Sequence, residues 1–395
     1  MSMNFSFTPE DERFREEVKS FLKQNSPNSF ECENPDEGFS MGGFSRSFYK
    51  RLGEAGYLSL IWPQEYGGRG EPLMKQFILL EELAYNKAPF CAAQLIETVP
   101  HLIIEYGSER AKQEVLSRIK SGDIIFWLGY TEPDAGSDLL ALKMTAQEDG
   151  DYFIINGQKS CSTWAHASDW ILLLVCTDPE APRGRGLNLC LVDKNLPGIK
   201  LAPVINLAGV RTHNDVFFDD VRVHKDFLLG QKGSGLSLMF AGLESDRFWG
   251  RAVKPHFLER VLGEVLSFLR DDPLGQEILA AKPWARDLLA QIRIEIEISR
   301  LFSLQCISKL NRGVKLSYEA SGLKLFSEEV GVRFFNALVN ILGPLGTVKE
   351  SKRLPFAQDL YYYYLGSIAC TIAGGTAEIQ RDTIARFGLG LKSGG

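Results

Sequence analysis

The chain has 395 residues, of which 45% are hydrophobic and 24% charged, and its formal net charge is −6. This composition is that of an ordinary globular protein, and the length predicts two or three subdomains. The acidic balance argues against a nucleic-acid partner, and no apolar run approaches the ~20 residues that a membrane-spanning helix needs.

Cysteine and histidine usage points to a protein without a built-in metal. The 7 cysteines and 5 histidines are scattered, and neither C-x-x-C nor H-x-x-x-H spacing occurs, so no metal site is expected. The odd number of cysteines and the lack of a signal-peptide pattern at the start predict a reducing, cytoplasmic location.

Residues 1–125 are predicted to be mostly helical. Thr8 is a candidate N-cap, Pro9 suits a first helical position, and acidic residues follow in the first turn. Residues 108–116 continue the pattern with helix formers at helical spacing, and the glycine-rich stretch 66–70 reads as a loop.

Residues 126–232 have the pattern of a small sheet domain. Segments 151–159, 170–176, 187–192 and 215–223 are rich in β-branched and apolar residues, with turn residues between them. The pair Asn156-Gly157 predicts a hairpin turn after the first of these strands. From 233 to the end helices return, with long ones expected over 291–309, 318–342 and 358–372.

Two segments have a content suited to cofactor binding. Residues 130–138 read Tyr-Thr-Glu-Pro-Asp-Ala-Gly-Ser-Asp, a loop dense in hydrogen-bonding groups. Residues 371–381 read Thr-Ile-Ala-Gly-Gly-Thr-Ala-Glu-Ile-Gln-Arg, in which two glycines open the last helix. Amide groups at a helix start favour a phosphate. Most loops of the first kind are only well-capped turns, and a lone Gly-Gly pair would be weak evidence.

Together these segments resemble the acyl-CoA dehydrogenase family, whose motifs T-E-P-x-A-G-S-D and I-Y-E-G-T-[SA]-[EQ]-I-Q-R they match in order. The resemblance implies an α+β fold with an N-terminal helical domain (1–125), a middle β-barrel or sandwich domain (126–232) and a C-terminal four-helix bundle (233–395). It also implies FAD as cofactor, an acyl-CoA substrate, an electron-transfer flavoprotein as electron acceptor and a homotetramer.

The resemblance carries roles over to particular residues. A segment at 159–165, Lys-Ser-Cys-Ser-Thr-Trp-Ala, is similar to the family's K-x-W-I-T-N, and its Thr takes the contact with flavin N5. The implied FAD contacts are Leu128, Tyr130, Thr131, Gly136, Ser137, Cys161, Thr163, Gly375, Thr376 and Glu378. The implied substrate contacts are Ser137, Trp164, Arg247 and Gly374, although Trp164 reads equally well as a core aromatic.

The commonest catalytic base of the family is missing. The Glu of the C-terminal motif, which removes the substrate proton in many members, is replaced by Gly374. On the helix that starts near residue 236, Asp246 lies in an otherwise apolar stripe, where a carboxylate is usually paired or functional. The segment Glu-Ser-Asp-Arg at 244–247 resembles the D-L-E-R of branches whose base is on this helix, so Asp246 is predicted to be the base.

Two other acids compete with Asp246. Glu244 is three residues before Arg247, a spacing that favours a pair on the helix surface. Glu97 lies in a segment that lines the acyl pocket in the family, where a second acid would serve at a remote carbon of a ring substrate. The plainer interpretation of Glu97 is an acid at a helix start.

Two departures from the family leave other functions open. The R-x-x-F-G segment that grips the adenylate half of FAD is replaced by Asp-Asp-Pro-Leu-Gly-Gln at 271–276, and Q-x-x-G-G-x-G becomes Asn-Ile-Leu-Gly-Pro-Leu-Gly at 340–346. The sequence therefore predicts a dehydrogenase of a cyclic or otherwise bulky acyl-CoA. A non-catalytic or half-site subunit of a heteromeric enzyme is the alternative, and a flavin oxidase on the same fold is a third hypothesis.

Overall fold

The computed structural model describes residues 6–25, 45–89 and 93–392, and for residues 93–97 and Asp246 it describes the backbone but not the side chain. The chain forms two compact units. We call them the helical unit (residues 6–25, 71–89 and 247–392) and the sheet unit (residues 46–70 and 93–246). The division falls inside one helix, Gly235–Ala252.

The helices of the first part of the chain begin where the sequence carries capping signals. Thr8 accepts a hydrogen bond from Asp11 N at 3.1 Å and donates its own amide to the Asp11 carboxylate at 2.8 Å, a reciprocal cap that confirms the predicted helix start. The helices here are α1 (Pro9–Gln24), α2 (Arg46–Glu54), α3 (Leu73–Tyr85), α4 (Ala93–Tyr106), α5 (Glu109–Ala111) and α6 (Ser117–Lys120), with a π-helical stretch, Lys112–Leu116, joining the last two.

The sheet unit contains one eight-stranded sheet in the order β6-β7-β3-β2-β4-β5-β8, with β1 paired to β4 in parallel. The strands are β1 (Phe126–Gly129), β2 (Thr145–Asp149), β3 (Tyr152–Lys159), β4 (Trp170–Cys176), β5 (Leu187–Asp193), β6 (Ile199–Ile205), β7 (Arg211–His224) and β8 (Leu228–Leu229). Strands β4 and β5 are buried almost throughout, as their unbroken apolar runs require. The predicted sheet domain is confirmed.

The predicted hairpin at Asn156-Gly157 is wrong. These two residues lie inside β3, where the pairing with β7 shifts by one residue and Gly157 has a φ of +143°. The turn that joins β2 to β3 is at Gly150, with a φ of +58°. Asn156 faces two residues of β7, Asp219 and Asp220, so Asn-Gly lies opposite a β-bulge in β7, where Asp220 has a φ of +49°.

The chain from α7 onward is helical, as predicted. Its helices are α7 (Gly235–Ala252), α8 (Lys254–Asp271), α9 (Pro273–Ala281), α10 (Ala285–Leu310), α11 (Glu319–Leu342), α12 (Ala357–Cys370) and α13 (Ala377–Thr383). Helix α11 packs against α8, α10 and α12, which forms the predicted bundle. No helix in the described part of the chain is long and apolar enough to cross a membrane.

Candidate functional site

Loop 130–138 and the segment 159–165 lie side by side in the sheet unit. Ser160 N donates to Thr131 O at 2.9 Å, which joins loop 130–138 to the segment that follows β3. The ammonium group of Lys159 donates to Tyr130 O at 3.1 Å and to the Glu132 carboxylate at 2.8 Å. The loop that holds Thr131 is therefore anchored by a side chain from the neighbouring strand.

Glu132 and Lys159 form a buried ion pair, with 6% and 0% of their side chains exposed. The Glu132 carboxylate also accepts hydrogen bonds from Lys143 N at 2.6 Å and Met144 N at 3.1 Å. Burial lowers the pKa of Lys159 to about 8, against the opposing attraction of Glu132. The sequence analysis missed this pair, although Glu132 stands inside the loop motif and Lys159 opens the next one.

Several hydroxyl groups on these loops are not used by the fold. Thr131 is half-buried, and Ser137 and Thr163 are exposed. Within the described ranges, none of the three side chains has a hydrogen-bond partner. A side-chain carbon built on Gly136 would meet nothing within 4 Å. These predicted contacts therefore remain available to a ligand.

The stretch 160–168 has a constrained shape that places its hydroxyl groups. Cys161 and Trp164 have positive φ angles, +52° and +61°, which non-glycine residues seldom adopt. Ser162 N donates to Asn214 O at 2.9 Å and Trp164 N donates to Thr212 O at 2.9 Å, so β7 holds the stretch in place. Cys161 is exposed, whereas only 7% of Trp164 is exposed. Most of the Trp164 ring is thus buried in the sheet unit.

Ser162 is a site residue that the sequence analysis missed. It is 1% exposed, and its hydroxyl group has no hydrogen-bond partner in the described structure. A buried hydroxyl without a partner costs about 1–3 kcal/mol. Such a group is expected where a bound molecule completes the hydrogen bonding. The local signal was its place between Cys161 and Thr163.

The C-terminal motif forms a tight turn in the helical unit. Gly374 and Gly375 have φ angles of +69° and +93°. Gln380 Nε2 donates to Gly375 O at 2.9 Å and to Gly374 O at 3.3 Å, and Arg247 Nε donates to Gly374 O at 3.2 Å. A side-chain carbon on Gly375 would lie 2.7 Å from Gln380 Nε2. The turn therefore requires glycine at 375, and Arg247 fastens it to helix α7.

Thr376 and Glu378 begin helix α13. The Thr376 hydroxyl accepts a hydrogen bond from Ile379 N at 3.3 Å, so it caps the helix, and it donates its own proton to the Glu378 carboxylate. Glu378 is exposed, and hydrogen bonds from its own amide and from Thr376 hold the pKa of its carboxyl below the usual value. Its charge is thus present at neutral pH.

A buried cluster of three cationic side chains and one carboxylate lies next to this turn in the helical unit. Lys324 is 0% exposed and donates to Thr371 O at 3.2 Å, at the end of α12. Burial lowers the pKa of Lys324 to about 8. Nearby, the buried Glu328 pairs with Lys254 and accepts from Arg251 Nε at 3.0 Å. The cluster was not visible in the sequence, because its members come from three separate helices.

Both predicted catalytic acids fall on helices, but their side chains lie outside the described residues. Asp246 is on α7, directly before Arg247, and Glu97 is on α4. The rival Glu244 is half-buried. Leu128 is half-buried in β1, and Tyr130 is 7% exposed. Among the described residues no group of His, Cys, Asp and Glu could hold a metal ion.

Family models account for nearly the whole chain. The N-terminal, middle and C-terminal domains of acyl-CoA dehydrogenase match residues 8–123, 128–221 and 233–389. Acyl-CoA dehydrogenase FadE26 of Mycobacterium tuberculosis is 31% identical over 98% of this chain and 99% of its own length. Glutaryl-CoA dehydrogenase of Desulfococcus multivorans is 26% identical over 99% of each chain.

Solved structures agree with the sequence relatives. A structure titled "Tcur3481-Tcur3483 steroid ACAD" superposes with a TM-score of 0.89 at 30% identity, covering 99% of this chain and 100% of that one. The ChsE4-ChsE5 complex from Mycobacterium tuberculosis gives 0.85 at 30% identity with the same coverage. The chain belongs to the acyl-CoA dehydrogenase family. It is an oxidoreductase that uses FAD and acts on acyl-CoA thioesters.

The residues present fit FAD. In the sheet unit, the two joined loops carry the unused hydroxyls of Thr131, Ser137 and Thr163 and the buried hydroxyl of Ser162. In the helical unit, the Glu378 carboxylate at the start of α13 is exposed. These groups suit the polar edge and the hydroxyls of a flavin nucleotide.

Proposed function

We propose that this enzyme dehydrogenates the Cα–Cβ bond of a bulky, cyclic acyl-CoA and that Asp246 removes the α-proton. Bound FAD supplies the acceptor for the hydride that leaves the β-carbon. A carboxylate is a suitable base for the α-proton when its surroundings bring its pKa toward neutrality. The proposal also includes the domain limits 1–125, 126–232 and 233–395 and the roles given to individual residues of the site.

The observation that carries the proposal is the structure of the turn at Gly374. The family's usual base position has no side chain here, and its φ of +69° disfavours one. Its carbonyl is held by Arg247, the residue that follows Asp246 on α7. The Arg247 side chain therefore joins the position of the missing Glu to helix α7, the helix that bears Asp246.

The relatives support a bulky acyl group. One matched structure is named as a steroid enzyme, and the family's glutamate side chain is absent at Gly374. Glycine at 374 removes the volume of a glutamate side chain at the position where the family has its usual base. By analogy with the named relative, a fused-ring or alicyclic acyl group is the proposed occupant of the space gained.

A panel of CoA thioesters tests this assignment. Straight-chain, branched, dicarboxylic and alicyclic thioesters are mixed anaerobically with the FAD-loaded enzyme, and the loss of flavin absorbance is followed. We expect the alicyclic thioesters to give the highest kcat/KM. Preference for a straight chain would contradict the proposed substrate class. Slow reoxidation by oxygen afterwards would argue against an oxidase.

A half-site subunit of a heteromeric enzyme is the second candidate, and one segment favours it. In place of R-x-x-F-G, Asp272 accepts from Leu274 N at 2.8 Å and caps α9, so this stretch is committed to the helix start. A matched structure is titled as a complex of two components, ChsE4 and ChsE5. Purification of the chain alone decides: a yellow protein with stoichiometric FAD supports the complete enzyme, and a colourless one supports the half-site subunit.

The proposal extends to the partners of the enzyme. We propose a homotetramer, an electron-transfer flavoprotein as acceptor and a cytoplasmic location, all supported by the family resemblance. The described cysteines are all free thiols, in keeping with a reducing compartment. Analytical ultracentrifugation of the FAD-loaded protein would show a tetramer, and a dimer would contradict that part.

A further inference from the structure

A buried threonine on α4 has a hydroxyl group that the fold does not use. Thr98 is 1% exposed, and its Oγ1 has no hydrogen-bond partner in the part of the chain that is described. Threonines in helices usually donate to a carbonyl one turn earlier. A buried hydroxyl without a hydrogen bond is unfavourable, so a partner from outside the described residues is expected here.

The surroundings place Thr98 beside helix α7. A carbon built on Gly242 would lie 3.2 Å from Thr98 Cγ2, 3.4 Å from Leu102 Cδ1 and 3.8 Å from the Tyr130 hydroxyl oxygen. Gly242 thus lets α4, α7 and the start of the flavin loop approach one another closely. Tyr130 directly precedes Thr131, whose hydroxyl is unused.

This point is also close to the proposed base along the helix. Gly242 and Asp246 are four residues apart on α7, so they lie on the same face about one turn, roughly 6 Å, from each other. Thr98, Gly242 and Asp246 all belong to the sheet unit. The backbone of Asp246 therefore lies about one helical turn from the point where Thr98 meets α7.

Besides the Tyr130 hydroxyl, this part of α4 and α7 carries apolar side chains. Val99, Leu102 and Met239 belong to one buried hydrophobic cluster, and Leu243 packs against it. A carboxylate placed here would need a cationic partner, whereas a neutral hydroxyl or ketone oxygen needs a single hydrogen bond. The Thr98 hydroxyl can serve as donor or acceptor to either oxygen.

We infer that Thr98 is a specificity-determining residue, whose buried hydroxyl binds a neutral oxygen substituent on the acyl group of the substrate. The inference rests on the proposed function, because it names the acyl group more closely. It adds a hydrogen-bonding group to surroundings that, apart from the Tyr130 hydroxyl, are apolar. Hydrogen-bonding sites discriminate far more sharply against a substrate that lacks the group than apolar pockets do.

The test compares two alicyclic CoA thioesters that differ only by a ring ketone or hydroxyl. The ratio of their kcat/KM values is measured with FAD-loaded wild type, Thr98→Val and Thr98→Ser. Wild type should favour the oxygenated thioester. Thr98→Val, which keeps the shape but removes the hydroxyl, should lower the ratio about tenfold, mainly through KM. Thr98→Ser should restore it.

Matched controls separate the possible failures. Thr347→Val, on an exposed turn of the helical unit, should leave the ratio unchanged. An equal effect of Thr98→Val on both thioesters, or on neither, would overturn the inference and assign the hydroxyl to an ordered water. If wild type reduces only straight-chain thioesters, the proposed substrate class fails, and the same ratio measured on a hydroxylated straight-chain pair still decides the role of Thr98.

Discussion

Replacing Lys159 with methionine should show the function of the buried ion pair that anchors loop 130–138. The change removes the ammonium group that bonds Glu132 and Tyr130 O, while it keeps the length of the side chain. Glu132 is then left as a buried carboxylate with only the amides of Lys143 and Met144 as donors. We expect both the stability and the FAD affinity of the protein to fall.

The magnitude follows from two opposing contributions. Removing one partner of a buried pair costs about 3–5 kcal/mol, because the other charge stays unpaired. Two amide donors still hold Glu132, which places the single substitution near the lower end, about 3 kcal/mol. However, burial lowers the pKa of Lys159 from 10.5 to about 8, so keeping this ammonium charged costs the fold about 3 kcal/mol at neutral pH. The pair therefore positions the loop more than it stabilises the fold.

A double variant distinguishes these roles. Lys159→Met with Glu132→Gln removes both charges and should unfold within about 1 kcal/mol of wild type in urea. It should still bind FAD about tenfold more weakly, because Tyr130 O loses its anchor. Lys143→Met, whose side chain is 75% exposed in a surface pair with Asp134, is the control and should change neither measurement by more than about 1 kcal/mol. A double variant with wild-type FAD affinity would refute the positioning role.

Three further outcomes follow from the geometry. Gly375→Ala should lower the free energy of unfolding in urea by about 1–3 kcal/mol, because its new carbon would lie 2.7 Å from Gln380 Nε2. The control Gly313→Ala, at a similar φ of +72° but with open space around it, should cost less. Iodoacetamide should modify the exposed Cys161 in the FAD-free protein, and added FAD should protect it. Mass mapping should find Cys190 unmodified, because burial raises the pKa of its thiol to about 12. Equal labelling of Cys161 with and without FAD would remove it from the cofactor site. The pKa of Lys324 is lowered to about 8, so the unfolded chain binds this proton more tightly than the folded chain does. The free energy of unfolding of wild type, relative to that of Lys324→Met, should therefore rise between about pH 8 and 10.5. A flat difference over that range would contradict the burial of its charge.

Local patterns predicted the parts of the fold that depend on neighbouring residues. Thr8 and Pro9 identified the start of α1, and the apolar run at 170–176 is strand β4. Each signal is complete within a few residues, because a helix cap and a buried strand are set by local hydrogen bonding and burial. The order of helical, sheet and helical regions followed in the same way.

Long-range pairing was beyond local patterns. Glu132 and Lys159 are 27 residues apart, and only the folded sheet shows that they pair. Asn156-Gly157 was misread because its place opposite the bulge of β7 depends on the pairing of β3 with β7, which local patterns do not show. The unused hydroxyl of Thr98 could not be recognised either, since a threonine on an apolar helix is unremarkable until its burial and its lack of a partner are known.

The measurement that tests the account most directly is substrate-driven flavin reduction by Asp246→Asn. The FAD-loaded variant is mixed anaerobically with the best thioester in a stopped-flow instrument, and the flavin absorbance is followed. Asparagine keeps the size of the side chain but cannot take the proton, so reduction should slow at least about a thousandfold while FAD remains bound. Reduction within tenfold of wild type would show that another group removes the proton, and Glu97→Gln would then be tested in the same way.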